Sequence, residues 1–191
     1  RITKIMSDIN SIIDEAKSKF NKSLEHLEEE MMKIRAGKAN PSMLNGIMVD
    51  AYGSMAPLSG VCSITTPDAR MLVLQPWDKG QISAIEKAIM QANIGLNPQN
   101  DGQIIRISVP PLTEERRKDL VKQSKSEMEK SKIAIRNIRR DANEDIKSLK
   151  KDGVSEDMIK SGEDRMQKIT DEFIMKADKM LEAKEKEIMT V

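Results

Sequence analysis

The chain has 191 residues, 33% of them charged and 2% aromatic, with 14 Met and one Cys. That length gives one large domain or two small ones, and charge-rich, aliphatic, aromatic-poor material resembles long helices more than a β-sandwich or a pocketed enzyme. Lys and Arg total 32 against 31 Asp and Glu, so any affinity for nucleic acid must come from where the charges sit, not from their sum.

In chain order, the first predicted element is a helix. Ile13, Phe20, Leu27 and Ile34 recur every seven residues, with Ile5, Ile9, Ile12, Leu24 and Met31 filling the same face. Texture then changes: from Asn40 to Pro110 there are only nine charged residues and six of the seven prolines. "GIMVDAYG", "GVCSIT", "RMLVLQP" and "GQIIRISVP" read as strands, β-branched or alternating and bounded by Gly, Pro and Ser. Between the third and fourth lies a helix with Asp78 as cap, Ile82, Ile85, Ile89 and Ala92 on one face, and Gly95 as its end.

A second long helix starts after "PPLT", where prolines block helix continuation and Thr113, Glu114 and Glu115 suit a positive N-terminal end. Val121, Met128, Ile135, Ala142 and Leu149 recur every seven residues, joined by Ile138 and Ile146. Gly153 stops it and Ser155 caps a third helix, whose seam is Ile159, Met166, Phe173 and Met180 with Ile169, Ala177 and Ile188. The short connection predicts that the second and third helices are antiparallel. The fold class is therefore α+β: a long antiparallel three-helix bundle (residues 1–36 and 112–191) with an inserted small β/α/β domain (40–109). The chain crosses between them at 36–41 and 109–112, which makes Ala36, Gly37, Lys38, Pro41, Pro110 and Pro111 hinge candidates.

The second long helix carries the functional signal. Lys118, Lys122, Lys125, Lys132, Arg136 and Arg139 are spaced 4, 3, 7, 4 and 3, one continuous face broken only by Glu129. Arg116, Arg117 and Arg140 widen it, and from Thr113 to Asp152 there are 13 cations against nine acids. Such a face can track phosphates, displacing condensed counterions. It can equally be a solvated helix surface laced with i,i+4 pairs, or a scaffold face for an acidic protein. Without interleaved aromatics, the target would be shape and phosphate and not base sequence.

Other chemistry is not indicated. His26, the sole histidine, has no nucleophile or orienting partner in any motif and reads as a surface or seam residue. "AGKAN" lacks the first glycine and the hydroxyl of a P-loop. The single cysteine, Cys62, excludes an internal disulfide and a thiolate zinc site, and reads as a buried strand residue. No enzyme activity, cofactor or metal is expected. No apolar run approaches the roughly 20 residues of a membrane span, and "RITKIMSDIN" is amphipathic and unlike a signal peptide. A soluble, cytoplasmic monomer is expected, with no membrane or DNA partner.

"KIRAGKANPSML", "EKAIMQANIGLNP", "PPLTEERRKDL", "IRNIRRDAN" and "KITDEF", in that order, closely resemble the ribosome recycling factor family over residues 8–191. The resemblance implies an L-shaped pair of domains joined by a double hinge. It implies a translation factor that occupies the post-termination 70S-type ribosome through large-subunit rRNA. With elongation factor G and GTP, such a factor drives separation of the subunits. It places RNA-contacting arginines on Arg136 and Arg139, with Arg140 beside them, on Arg116 and Arg117, and on Arg35. The family usually has arginine where this chain has Lys38, so charge is kept there and bidentate hydrogen bonding is lost.

Overall fold

A computed structural model describes residues 2–34 and 36–190, and of Ile2, Ile5 and Ser7 the backbone alone. The described chain divides into two compact units: residues up to Ile34 with Glu115–Thr190, and the residues between, through Glu114.

The first unit is three helices: α1 (Ile2–Lys33), α3 (Glu114–Ser148) and α4 (Glu156–Met189). α1 buries Ile9, Ile13, Phe20 and Leu27, and Ile34 is buried just past its end, each at most 4% exposed, as the apolar spacing predicts. Partners on α3 and α4 run in opposite senses. Lys147 meets Glu163, Lys132 meets Asp178, Lys125 meets Glu185, and the Arg117 guanidinium donates to the Met189 carbonyl. The two helices are therefore antiparallel. α1 runs with α4, since Asn10 bonds Arg165 and Phe20 meets Phe173. The α3–α4 turn is built as the sequence implies: Gly153 adopts φ 82 to end a 3-10 turn at Leu149–Asp152, and the Ser155 hydroxyl caps α4 by accepting from the Met158 N–H at 3.3 Å.

The seam of α3 differs from its apolar pattern. Leu120 is buried while Val121 is only half-buried, and Ser124 and Ser131 are buried beside Met128 and Ile135. Small hydroxyl residues let the helices approach; Ser124 returns its hydroxyl to the Leu120 carbonyl at 2.9 Å, whereas the buried Ser131 hydroxyl has no partner among the described residues. Thr170 on α4 does the same with Met166. Ile138, Leu149, Ile169 and Met180, expected on the seams, are half-buried at its edges.

The second unit holds a two-stranded hairpin, β1 (Met48–Ala51) and β2 (Ser54–Pro57). It also holds a four-stranded antiparallel sheet of β3 (Cys62–Asp68), β4 (Met71–Pro76), β5 (Pro98–Asn100) and β6 (Ile105–Ser108), in the order β3-β4-β6-β5. Helix α2 (Ile82–Gln91) buries Ile82, Ile85 and Ile89 into the core formed with Val49, Leu72 and Ile105. Two strands escape the sequence reading. β2 is created by a two-residue turn in which Tyr52 (φ 55) and Gly53 (φ 85) are both left-handed, the geometry that matches strand twist. β5 is three residues at the sheet edge, too short to alternate. Asp78 caps a 3-10 turn (Lys79–Gln81) that leads into α2, accepting from Gly80 N–H at 2.9 Å, and is not the cap of α2 itself. Ala92, expected on the buried face, is exposed because the helix ends there before Asn93 turns left-handed.

The hinge candidates Ala36, Gly37, Lys38, Pro41, Pro110 and Pro111 all lie inside this second unit. Ala39 N–H donates to the Ala69 carbonyl at 2.8 Å and Val109 N–H to the Arg70 carbonyl at 2.7 Å. Both connecting segments are thus tied to the β3–β4 turn. Gly37 sits at φ 75 against Leu112, and Pro41 opens a 3-10 turn capped by Asn40.

Candidate nucleic-acid interface

Helix α3 places most of its cations on one side, in an inner row beside α4 and an outer row further round. Buried Ser124, Met128, Ile135, Ala142 and Ile146 define the inward side. At 100° per residue, Lys118 and Arg136 stand roughly 100° from that side, and Lys122 and Arg140 roughly 140°. Lys118, Lys122, Arg136 and Arg140 are all exposed, as is Arg116. Lys122 and Arg136 make no ion pair or hydrogen bond within the described residues, whereas Arg140 lies 3.5 Å from Asp141.

The inner row, nearer α4, is occupied differently. Lys125 reaches Glu185 at 3.7 Å, Lys132 reaches Asp178 at 3.1 Å, and Arg139 donates to the Gln167 amide oxygen at 2.9 Å. Lys132 keeps only 21% of its side chain exposed, so its ammonium is largely committed to holding α4. Pairs of this partly exposed kind contribute on the order of 0–1 kcal/mol each, and their larger effect is to fix which cations point outward. Arg117 falls on the core side of α3, half-buried with its guanidinium donating to the Met189 carbonyl at the end of α4. Arg116 and Arg117 are neighbours in sequence but 100° apart on the helix. Arg35 lies outside the described residues. Lys38 is exposed in the second unit.

The face is an array of Arg forks and Lys point charges on one rigid helix, with backbone hydrogen bonds already satisfied. Such an array neutralises phosphates without bending to meet them. Off this face, Lys130 is drawn toward Glu127, whose carboxylate bonds its ammonium and holds it above the usual lysine range. His26 stands exposed on α1. Cys62 is 1% exposed in β3, where burial pushes its thiol up to about 11. Among the described residues no group of His, Cys, Asp and Glu is arranged to hold a metal, and no helix is long and apolar enough to cross a membrane.

Comparison with known proteins assigns this geometry to a family. A family model described as ribosome recycling factor matches residues 27–189. The ribosome-recycling factor of Flavobacterium johnsoniae is 56% identical over 184 residues, spanning 96% of this chain and 98% of that protein. That of Cytophaga hutchinsonii is 50% identical over 186 residues, spanning 97% and all of it. A solution structure of a ribosome recycling factor is similar with a TM-score of 0.69 at 39% identity, covering 96% of this chain and 98% of that one. A second structure describes the T. thermophilus ribosome recycling factor and E. coli elongation factor G on the E. coli post-termination complex. It gives a TM-score of 0.60 at 46% identity, covering 95% of this chain and 99% of that one.

Proposed function

The chain belongs to the ribosome recycling factor family, and from that premise we propose that it docks its helical unit on large-subunit ribosomal RNA through the outer face of α3. The chain is a translation factor of ribosome recycling. It binds the post-termination ribosome and, with elongation factor G and GTP, promotes dissociation into subunits. One observation supports the docking face above others: Lys122 and Arg136 project from a rigid helix with no carboxylate answering them among the described residues, beside exposed Lys118 and Arg140. Lys125, Lys132 and Arg139 border that face while bonded across to α4. Arg117 acts as a brace between α3 and the end of α4 and not as an RNA contact.

The mechanism is mechanical. Phosphate contacts seat the helical unit, and the GTPase partner pushes on the αβ unit. The long helices then work as a lever against the contacts between subunits. For this the αβ unit must swing as one body. The bonds from Ala39 and Val109 to the β3–β4 turn support that requirement, since they bind both connecting segments into the unit that moves. Bending then falls in the parts of the connecting segments that lie outside those two ties. The factor itself supplies binding and leverage, and the GTPase supplies the chemistry.

The test is subunit separation followed by light scattering on post-termination ribosomes with elongation factor G and GTP. The reading expects dissociation that needs both proteins. It also expects loss of dissociation, with ribosome binding retained, when a cross-link fixes the two units. Dissociation that persists after cross-linking would remove the lever.

A further inference from the structure

Arg139 differs from the lysines that share its flank. Lys125, Lys132 and Lys147 are each opposed across the bundle by a carboxylate, from Glu185, Asp178 and Glu163. Arg139 instead faces an amide: its guanidinium NH1 donates to the Gln167 side-chain oxygen at 2.9 Å. That amide is held in turn, because its Nε2 donates to the Asp171 carboxylate at 2.8 Å, one turn further along α4. Chemistry settles the amide's orientation. An ionised carboxylate can only accept, so the NH2 of Gln167 must face Asp171; its oxygen is left for Arg139, which can only donate.

This arrangement does two things that a direct Arg–carboxylate pair cannot do together. It anchors the guanidinium in one orientation, which lowers the entropy lost when a phosphate binds. It also leaves the positive charge unneutralised, with the nearest carboxylate of the relay set back by the length of an amide. Among the described residues Arg139 makes no other hydrogen bond, so four of its five N–H donors remain for a ligand. A bidentate hold on a phosphate uses two of them.

We propose that Gln167, itself oriented by Asp171, is a positioning residue that presents Arg139 to a backbone phosphate of ribosomal RNA while leaving its charge intact. The proposal rests on the docking reading of α3 and names a residue on a different helix, outside any basic cluster, as part of that site.

The experiment measures binding of the full chain to large ribosomal subunits over a salt series, for the wild type, Arg139→Ala, Gln167→Glu and Gln167→Ala. Gln167→Glu keeps the shape but sets a carboxylate directly on Arg139. It is expected to lower affinity by roughly tenfold and to reduce the log–log salt slope by about one, matching Arg139→Ala, since one phosphate contact is lost. Gln167→Ala removes the anchor without adding charge, so affinity should fall severalfold with the slope unchanged. Combining Gln167→Glu with Arg139→Ala should add nothing to Arg139→Ala alone. Gln167 is exposed, so all variants should keep the thermal midpoint of the wild type, and a merely structural role would not move the salt slope. If Arg139→Ala weakens binding but Gln167→Glu leaves affinity and slope alone, the relay is overturned and the docking face stands. If Arg139→Ala itself has no effect, Arg139 contacts no phosphate and the relay is overturned with it.

Discussion

Phe20 of α1 and Phe173 of α4 meet with ring centroids 5.0 Å apart and planes inclined by 35°, and they are the only two phenylalanines in the chain. Phe20 is fully buried, and the Lys176 ammonium covers the Phe173 ring at 4.4 Å. In a protein so poor in aromatics this pair is the bulkiest part of the bundle core. Phe20→Ala should cost about 3–5 kcal/mol, from lost transfer energy and the cavity left behind. Denaturant unfolding monitored by helical circular dichroism would measure it. Phe173→Ala should cost slightly less, because Phe173 keeps 6% exposure where Phe20 keeps none. A loss below about 1 kcal/mol at Phe20 would contradict the packing described.

Gly162 is a second consequence of close packing. Read from sequence, a glycine inside α4 is a local weakness of about 1 kcal/mol relative to alanine. In the structure it is buried where α4 crosses the other two helices. A Cβ there would lie 3.2 Å from Ile146 Cγ2 and 3.3 Å from Ile9 Cγ2. Two branched side chains from different helices would have to give way together. Gly162→Ala should therefore fail to gain the propensity term, and Gly162→Leu should destabilise by at least about 3 kcal/mol. Thermal unfolding of both variants checks this. A more stable Gly162→Ala would show that the crossing has slack.

The connecting segments make a third case. Gly37 has φ 75, and a Cβ on it would stand 2.6 Å from Leu112 Cγ. Gly37→Ala should cost about 2–4 kcal/mol, combining left-handed strain with overpacking. Adding Leu112→Ala should recover the steric part and leave the backbone part. A double-mutant cycle in urea separates the two. Strict additivity would mean that Gly37 and Leu112 do not confront each other.

Cys62 supplies a test by reactivity. Burial raises its thiol to about 11, so at pH 8 the thiolate population is small and the sulfur is shielded. A neutral disulfide reagent should modify it only as fast as the αβ unit opens, and at once in denaturant. Rapid modification of the native protein would place the thiol at the surface.

Much of this architecture is legible in the sequence because apolar spacing states which face of a helix is buried. Ile13, Phe20 and Leu27 are buried where the heptad puts them. The pattern is silent where burial is not apolar. Ser124, Ser131 and Thr170 sit inside the bundle as small hydroxyl residues, and an apolar count passes over them. β2 depends on two left-handed residues at Tyr52 and Gly53, a property of backbone angles and not of hydrophobicity. The basic stripe was visible as a spacing, but its division was not. Whether Lys132 points outward or toward Asp178 depends on which side of α3 the fourth helix lies. Arg117 shows the same limit: adjacent to Arg116 in a basic cluster, it turns inward to the end of α4.

The central claim is that the outer face of α3 docks on ribosomal RNA through phosphates. The most direct measurement is binding to large ribosomal subunits from low to high salt, for the wild type and for the double variant Lys122→Ala/Arg136→Ala. About six phosphate contacts predict a log–log slope near −4 to −5, and removal of these two exposed cations should flatten it by about two while leaving the fold unchanged. Binding that ignores salt, or a slope the double variant leaves untouched, would contradict the claim.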